Sequence, residues 1–210
     1  ADAVYAGFRD QTNARAFPGL NFDDADLRAG VAYAHQRGRK VYLALNTYPE
    51  TSRLRAWQAA VDHAAELGCD AIIAAEMAVL EHAMREHPTL ARHLSVQGSA
   101  TTAPALRYMH ERFGISRAVL PRVLSLQQVE RLCASSPVPL EVFAFGSLCI
   151  MVEGRCQLSS YVTGASPNRH GVCSPARFVR WEEHADGQRG VRLNGLLMDR
   201  YQPGEPAAYP

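Results

Sequence analysis

The sequence lacks long hydrophobic runs, and it lacks an excess of charge of either sign. No window of the 210 residues approaches the roughly 18 uninterrupted apolar residues that a membrane-spanning helix needs. The chain has 22 basic and 21 acidic residues, so it does not show the basic excess typical of proteins held to nucleic acid by phosphate contacts. We therefore expect no transmembrane segment and no DNA partner, and the charge balance argues against an RNA partner.

Cysteine is also scarce, and no leader sequence is recognisable. The five cysteines are an odd number in a long chain, which argues against a disulfide framework. The chain opens Ala1-Asp2-Ala3-Val4-Tyr5, with neither a basic nor an apolar leader region. These features favour a reducing, cytoplasmic setting. The missing initiator methionine suggests a fragment of a longer protein.

Short apolar runs alternate with segments of helical period over the first two thirds of the chain. An apolar content of 47% excludes disorder as a description of the whole. The six apolar runs are Ala3–Phe8, Lys40–Leu45, Asp70–Ala75, His93–Gln97, Arg117–Leu120 and Pro139–Phe145. Helix starts are indicated at Asp23 and Ser125, and helix ends at Gly68 and at the glycine after Phe113. This alternation predicts an α/β fold with a parallel sheet and helical crossovers.

A (β/α) barrel and an open doubly wound sheet both fit this alternation. No Gly-x-Gly-x-x-Gly follows the first strand, which weakens a dinucleotide-binding version of the open sheet. In a barrel, polar residues that follow successive strands would converge on the rim where barrel enzymes place their sites. Four such residues are candidate substrate contacts: Asn46, Glu76, Gln97 and Arg122. We predict an incomplete TIM-like barrel over residues 1–148, because six strands cannot close an eight-stranded one.

The remaining residues, 149–210, form a second predicted region packed on the barrel. Residues 149–178 are rich in Gly, Ser, Pro and Asn and indicate loops. Two strands, Arg177–Glu182 and Gly190–Leu197, are predicted to form a small β-hairpin around the turn at Asp186. The last ten residues, from Tyr201, are predicted to be a loop.

Cys149, Cys156 and Cys173 form a C-x6-C-x16-C pattern in this loop region. Thiolates are soft ligands for Zn²⁺ or for iron–sulfur clusters. Because structural zinc sites usually contain a closely spaced cysteine pair, the wide spacing favours an iron–sulfur cluster. The fourth ligand would be a histidine such as His170, a substrate, or a cysteine beyond Pro210. Three unrelated buried thiols are the alternative interpretation.

The other titratable residues give weaker signals. Arg155 and Arg177 could stabilise a negatively charged cluster or hold an anionic substrate. Cys69 and Cys133 are interpreted as small buried hydrophobes. The histidines His82, His87 and His93 are interpreted as surface residues near helix ends. No nucleophile elbow, His-Glu-x-x-His or phosphate loop is present, and no catalytic residue is assigned.

Several segments resemble the family named peptidase U32. They are Glu141-Val-Phe-Ala-Phe-Gly-Ser-Leu-Cys149, Glu153-Gly-Arg-Cys156, Leu158-Ser-Ser-Tyr161, Asn168 to Cys173 with Ser174-Pro-Ala-Arg177, and Asn13-Ala-Arg15 with Leu20-Asn21-Phe22. Within that family, Phe-Gly-Ser-Leu-Cys-Ile-Met is most similar to the UbiU-type branch of ubiquinone biosynthesis. The resemblance covers essentially the whole chain.

The resemblance implies a barrel-like fold and a [4Fe–4S] cluster held by four cysteines. Three of these match Cys149, Cys156 and Cys173, and the fourth would follow a Tyr-Pro that corresponds to Tyr209-Pro210. The implied enzyme is an oxygen-independent hydroxylase subunit that forms a heterodimer with a homologous UbiV-like partner. Its substrate would be an aromatic isoprenoid precursor, with prephenate as oxygen donor. An RNA base hydroxylase, a peptidase, and a cluster-stabilised scaffold for the partner chain stay open as alternatives.

Overall fold

The structure is a computed structural model that describes residues 1–16, 19, 21–146, 149, 156–173 and 178–202. These residues form a six-stranded parallel sheet with its helices, two further short helices, and a three-stranded antiparallel sheet. No helix in these ranges is long and apolar enough to cross a membrane.

Strands and helices alternate through the parallel sheet, as predicted. The strands are β1 (Ala3–Gly7), β2 (Lys40–Leu45), β3 (Ala71–Ala74), β4 (Ala91–Leu94), β5 (Arg117–Val119) and β6 (Leu140–Glu141). The helices are α1 (Asp24–His35), α2 (Leu54–Glu66), α3 (Met77–Glu86), α4 (Ala103–Phe113) and α5 (Leu126–Ser135). Strand β4 begins two residues before the predicted run, and the rest of that run enters a 3₁₀ turn at Val96–Gly98.

The strand order decides between the two candidate architectures. The six strands are hydrogen-bonded in chain order, and each neighbouring pair is parallel. Right-handed crossovers between consecutive neighbours place all the helices on one face of the sheet, whereas a doubly wound sheet has helices on both faces. The sheet is therefore an open half-barrel, which confirms the predicted fold class.

The predicted helix ends are also confirmed. The Asp23 side chain accepts a hydrogen bond of 2.9 Å from the Asp26 backbone N–H at the start of α1. Ser125 and Gln128 form a reciprocal capping box at the start of α5. Gly114 adopts a left-handed conformation that ends α4, which an L-residue with a Cβ would adopt only with strain.

The hydrophobic core lies between the helices and one face of the sheet. Successive strand residues point to opposite faces, so alternate residues belong to the core. The largest fully buried side chains include Leu43, Leu45, Ile72 and Leu94 from the strands and Trp57, Val61, Leu80 and Leu106 from the helices. On the inner face Tyr5 of β1 is 65% exposed. The inner face lines the cavity of the half-barrel.

His93 is buried on β4, and our interpretation of it as a surface residue is wrong. Its side chain lies on the inner face of the sheet, where its ring meets the Tyr42 ring edge-on at 4.6 Å between centroids. Burial, together with the smaller effect of the positive charges of Arg117 and Lys40, lowers the pKa of His93 to about 4. The ring is therefore neutral in the folded protein at neutral pH.

This histidine makes folding stability depend on pH. Between pH 6.5 and 4 the unfolded chain protonates His93 while the folded protein does not, so the free energy of unfolding falls as the pH falls through that window. The free energy of unfolding falls by at most about 3 kcal/mol over this window because of His93. Above pH 6.5 this stability is fully present. We expect His93→Leu to flatten this dependence, as measured by urea denaturation at about pH 7 and about pH 4.5. Acidic residues titrate in the wild-type protein and in His93→Leu alike, so only the difference between the two proteins reports on His93. If the free energy of unfolding of both proteins changes equally with pH, the lowered pKa of His93 is contradicted.

The two isolated cysteines differ in burial. Cys69 is 7% exposed, as predicted, and burial together with the nearby charge of Asp70 raises the pKa of its thiol to about 11. Cys133 is exposed, which contradicts the prediction. It follows Leu132, which is buried, and a step of one residue turns a helix by about 100°, so Cys133 faces solvent.

The C-terminal region is more regular than its composition predicted. Two short helices, α6 (Gln157–Thr163) and α7 (Pro167–His170), lie where we expected loops. The second sheet consists of β7 (Val179–Glu183), β8 (Arg189–Leu193) and β9 (Leu196–Tyr201). The predicted strand Gly190–Leu197 is therefore divided. Asn194 and Gly195, both at positive φ, form a tight turn between β8 and β9, so the predicted hairpin gains a third strand.

Candidate cysteine-lined site

A cavity of about 320 Å³ lies inside the half-barrel and extends to the carboxyl ends of its strands. Strand residues on the inner face, including Tyr5 and Ile73, contribute to its wall. Asn46, Gln97 and Arg122, which follow three different strands, contribute further. This is the end of a barrel at which enzymes place their sites, because the loops after parallel strands converge there.

Three cysteines line the same cavity. Cys149 is exposed, Cys156 and Cys173 are partly buried, and none of the three forms a disulfide among the described residues. They come from separate places in the chain: Cys149 after β6, Cys156 immediately before α6, and Cys173 after α7. Within the described residues, these sulfurs are not among the groups whose ligand atoms all lie within 4.8 Å of one another, the spacing that a single ion requires.

Backbone hydrogen bonds attach the segment from Cys156 to Cys173 to the loops of the half-barrel. The Cys173 N–H donates to the Ala14 carbonyl at 2.9 Å, and the Ala16 N–H donates to the Gly171 carbonyl at 3.1 Å. Further along, the Tyr48 N–H donates to the carbonyl of Asn168 at 2.6 Å. The position of Cys173 is thus set by the loop between β1 and α1.

Cys156 occupies the N-terminal cap of α6. Its sulfur accepts a hydrogen bond of 3.4 Å from the Ser159 backbone N–H, and its thiol lies 3.1 Å from the Ser159 hydroxyl oxygen, which accepts from it. These two contacts fix the position of the Cys156 sulfur at the start of α6.

Buried asparagines organise the loop between β1 and α1. The Asn13 amide donates to the Phe8 carbonyl at 3.2 Å and to the Asn21 side-chain oxygen at 3.1 Å. The Asn21 amide donates to the Arg15 carbonyl at 2.7 Å, and Asn46 accepts from the Ala14 N–H at 2.9 Å. These bonds hold Asn13, Arg15 and Asn21 in position, and all three residues line the cavity.

The chemical character of the wall is mixed. The Arg122 guanidinium lies over the Phe143 ring, 4.8 Å from its centroid, and both residues line the cavity. Glu141, the one carboxylate among the described lining residues, is paired with Arg117 at 3.5 Å. The side-chain oxygen of Gln97 is buried and accepts no hydrogen bond from the described residues. The cavity thus combines an aromatic surface, cationic groups and an acceptor without a partner.

The sequence-predicted residues are not all at this cavity. Glu76 does not line it, and its carboxylate caps α3 by accepting from the Val79 N–H at 3.0 Å. His170 is exposed on α7, with a ring nitrogen 3.3 Å from the Ser166 carbonyl oxygen. Arg155, Arg177 and the segment Tyr209-Pro210 lie outside the described residues.

Sequence reasoning did not propose Tyr5, Asn13, Arg15, Asn21, Ser95, Glu141, Phe143 or Asn168 as site residues, although the structure places them around the cavity. Two of them, Asn13 and Asn21, are buried polar residues, and this burial was not visible in the sequence. A signal did exist in the resemblance, which contained Asn13-Ala-Arg15 and Leu20-Asn21-Phe22.

The donor set is of the kind that an iron–sulfur cluster takes, because each iron of a cluster binds its own thiolate. Three cysteines from three chain positions line this one cavity. No histidine and no further cysteine line it among the described residues.

The chain is similar to known proteins in sequence and in fold. The model of peptidase family U32 matches residues 1–192. The tRNA hydroxylation protein P of Escherichia coli (strain K12) is 31% identical over 210 residues, covering 97% of this chain and 44% of that protein. The 23S rRNA 5-hydroxycytidine synthase of the same organism is 31% identical over 216 residues, covering 94% of this chain and 31% of that protein. The chain thus spans less than half the length of these two relatives.

A solved structure agrees with the half-barrel. The U32 peptidase Mk0906 superposes with a TM-score of 0.58 at 17% identity, over 71% of this chain and 63% of that chain. At this identity the likeness concerns the fold alone.

Proposed function

The chain belongs to peptidase family U32, and from this premise we propose that it is part of an oxygen-independent ring hydroxylase. Cys149, Cys156 and Cys173 would hold a [4Fe–4S] cluster, with one further ligand from outside the described residues. The observation that carries the proposal is that these three cysteines line one cavity at the carboxyl ends of the strands of a half-barrel. When bound, the cluster would supply redox and Lewis-acid chemistry.

The chain's own residues would bind and orient the reactants. The Phe143 ring offers an aromatic face for a substrate ring. Arg15 and Arg122 offer guanidinium groups for the carboxylates of an anionic oxygen donor such as prephenate. The buried oxygen of Gln97 can accept a hydrogen bond from a phenolic hydroxyl. A cavity of about 150 Å³ holds benzene, so 320 Å³ admits a substituted single ring.

We propose an aromatic isoprenoid precursor of ubiquinone as the substrate. Val142, Phe143 and Phe145, directly after β6, expose large apolar side chains next to the cavity, and such a surface suits an isoprenoid tail. A formal net charge of +1 fits a small-molecule substrate better than a polyanion. A homologous UbiV-like subunit would be the partner.

RNA base hydroxylation is the second candidate. Two relatives favour it, since one is named a tRNA hydroxylation protein and the other a 23S rRNA 5-hydroxycytidine synthase. A cavity of this size would also admit a single base flipped out of its stack. The balanced charge of this chain argues against it.

Peptide hydrolysis has less support from the cavity. A serine or cysteine nucleophile needs a nearby base, usually histidine. Among the described residues that line the cavity none is a histidine, and the one carboxylate, Glu141, is paired with Arg117.

Product analysis distinguishes these candidates. A strain deleted for the gene and grown without oxygen is complemented with the whole protein, and quinones and RNA nucleosides are quantified from the same cells. We expect deletion to abolish a hydroxylated quinone intermediate, and complementation to restore it, with no change in hydroxylated nucleosides. The reverse pattern would establish the RNA candidate. Full restoration by a variant lacking all three cysteines would overturn the cluster-dependent proposal.

A further inference from the structure

A second group of potential metal ligands lies away from the cysteine-lined cavity. Asp62 is near the C-terminal end of α2, His82 is on α3, and His87 caps the C-terminal end of α3. Each of these helices runs from the carboxyl ends of the strands back to their amino ends, as crossover helices between parallel strands do. None of the three residues lines the cavity.

The three side chains converge on one carboxylate oxygen. Asp62 Oδ1 lies 2.8 Å from His82 Nε2 and 2.7 Å from His87 Nε2, and all three ligand atoms lie within 4.8 Å of one another. The two imidazole rings are not stacked, since their planes meet at 66° with centroids 6.3 Å apart. The side chains are 17%, 26% and 44% exposed for His82, His87 and Asp62, so an ion could enter from solvent.

We propose that Asp62, His82 and His87 bind one Zn²⁺ ion and so crosslink α2 to α3. Two imidazole nitrogens and one carboxylate oxygen form a known zinc ligand set, which leaves a fourth position for water. Zn–N and Zn–O distances of about 2.1 Å place tetrahedral ligands roughly 3.4 Å apart, so the contacts to Asp62 need to lengthen by about 0.6 Å. The same ligand set can bind Fe²⁺, but the Irving–Williams order favours zinc. The inference is independent of the proposed hydroxylase function.

The test separates this site from the cysteines. The protein carrying Cys149→Ser, Cys156→Ser and Cys173→Ser is stripped with a chelator and titrated calorimetrically with ZnCl₂. We expect one ion per chain. Co²⁺ should give visible d–d bands without the near-ultraviolet thiolate charge-transfer band. No saturable binding by this variant would overturn the proposal.

Single substitutions identify the ligands. Asp62→Asn and His87→Gln should each weaken Zn²⁺ binding by about 100-fold or more. His35→Gln is the matched control, because His35 pairs with Asp70 at 2.9 Å in a similar contact but outside the described three-ligand group. Circular dichroism checks folding, and His82→Gln replaces any variant that does not fold. Equal losses in His35→Gln, or unchanged affinity in the ligand variants, would overturn the assignment.

Discussion

Cys156→Ser is expected to lower the iron content of anaerobically reconstituted whole protein by at least about tenfold, and to reduce hydroxylation in the complementation assay to the level of the deletion strain. Cys156 lines the cavity, and its sulfur is held in position by a hydrogen bond from the Ser159 N–H. A serine oxygen at the same position is a harder and more weakly acidic ligand, so it would not replace the thiolate on iron. Cys149→Ser and Cys173→Ser should act in the same direction.

The chain supplies its own control for this experiment. Cys133 is a free thiol on the solvent-exposed side of α5 and does not line the cavity, so Cys133→Ser should leave iron content and hydroxylation unchanged. Cys69 is a poorer control, because it is buried and its replacement would also disturb packing. Iron is quantified by colorimetric assay and the cluster by its absorption spectrum. Full iron loading of the Cys156→Ser protein would remove this cysteine from the ligand set.

The half-barrel could be predicted because its signals are local. Asp23, Ser125 and the glycines after the helices mark helix ends through backbone chemistry that acts within a few residues, and those ends are present. The order of the strands could not be read from any one segment. The strand order was predicted only indirectly, because polar residues after successive strands would come together at the rim of a barrel.

The wrong predictions have physical reasons. Cys133 is expected to be buried because free cysteines usually are, but it follows the buried Leu132, and a step of one helical residue leads from a buried to an exposed direction. His93 is expected at the surface because it lies near helix ends, but its environment is decided by the strand pairing of β4 and by the facing ring of Tyr42. Asn194 and Gly195 are a hairpin signal inside the predicted strand Gly190–Leu197, and their turn divides it.

The candidate site was less predictable than the fold. Its three cysteines could be identified from the sequence. The contacts that fix their positions, however, join residues that are far apart in the chain. Asn13 and Asn21 are buried by contacts with the backbone of the β1–α1 loop, and that loop in turn binds the segment that carries Cys173. Nothing in the local sequence of residues 168–173 reveals which loop they pair with.

That pairing makes Gly171 the second position at which we expect a large effect. Gly171 has a φ of +67°, and a Cβ built there would lie 2.5 Å from the Asn13 carbonyl oxygen and 2.8 Å from the Ala16 Cβ. The obstructing oxygen is backbone, in a loop fixed by buried hydrogen bonds, so it cannot move aside at low cost. Gly171→Ala should therefore separate the segment from the loop and displace Cys173 from the cavity.

We expect Gly171→Ala to lower the free energy of unfolding by about 3 kcal/mol, combining the left-handed backbone with the steric clash. It should also lower iron content, although every cysteine is retained. Gly164→Ala is the matched control, because Gly164 has nearly the same φ of +68° but nothing within 4 Å of a built Cβ, so only the backbone cost of about 1 kcal/mol remains. Urea denaturation and iron analysis of both variants measure the difference. Equal effects of the two substitutions would mean that backbone strain alone acts at Gly171, and that the contact with the β1–α1 loop does not position Cys173.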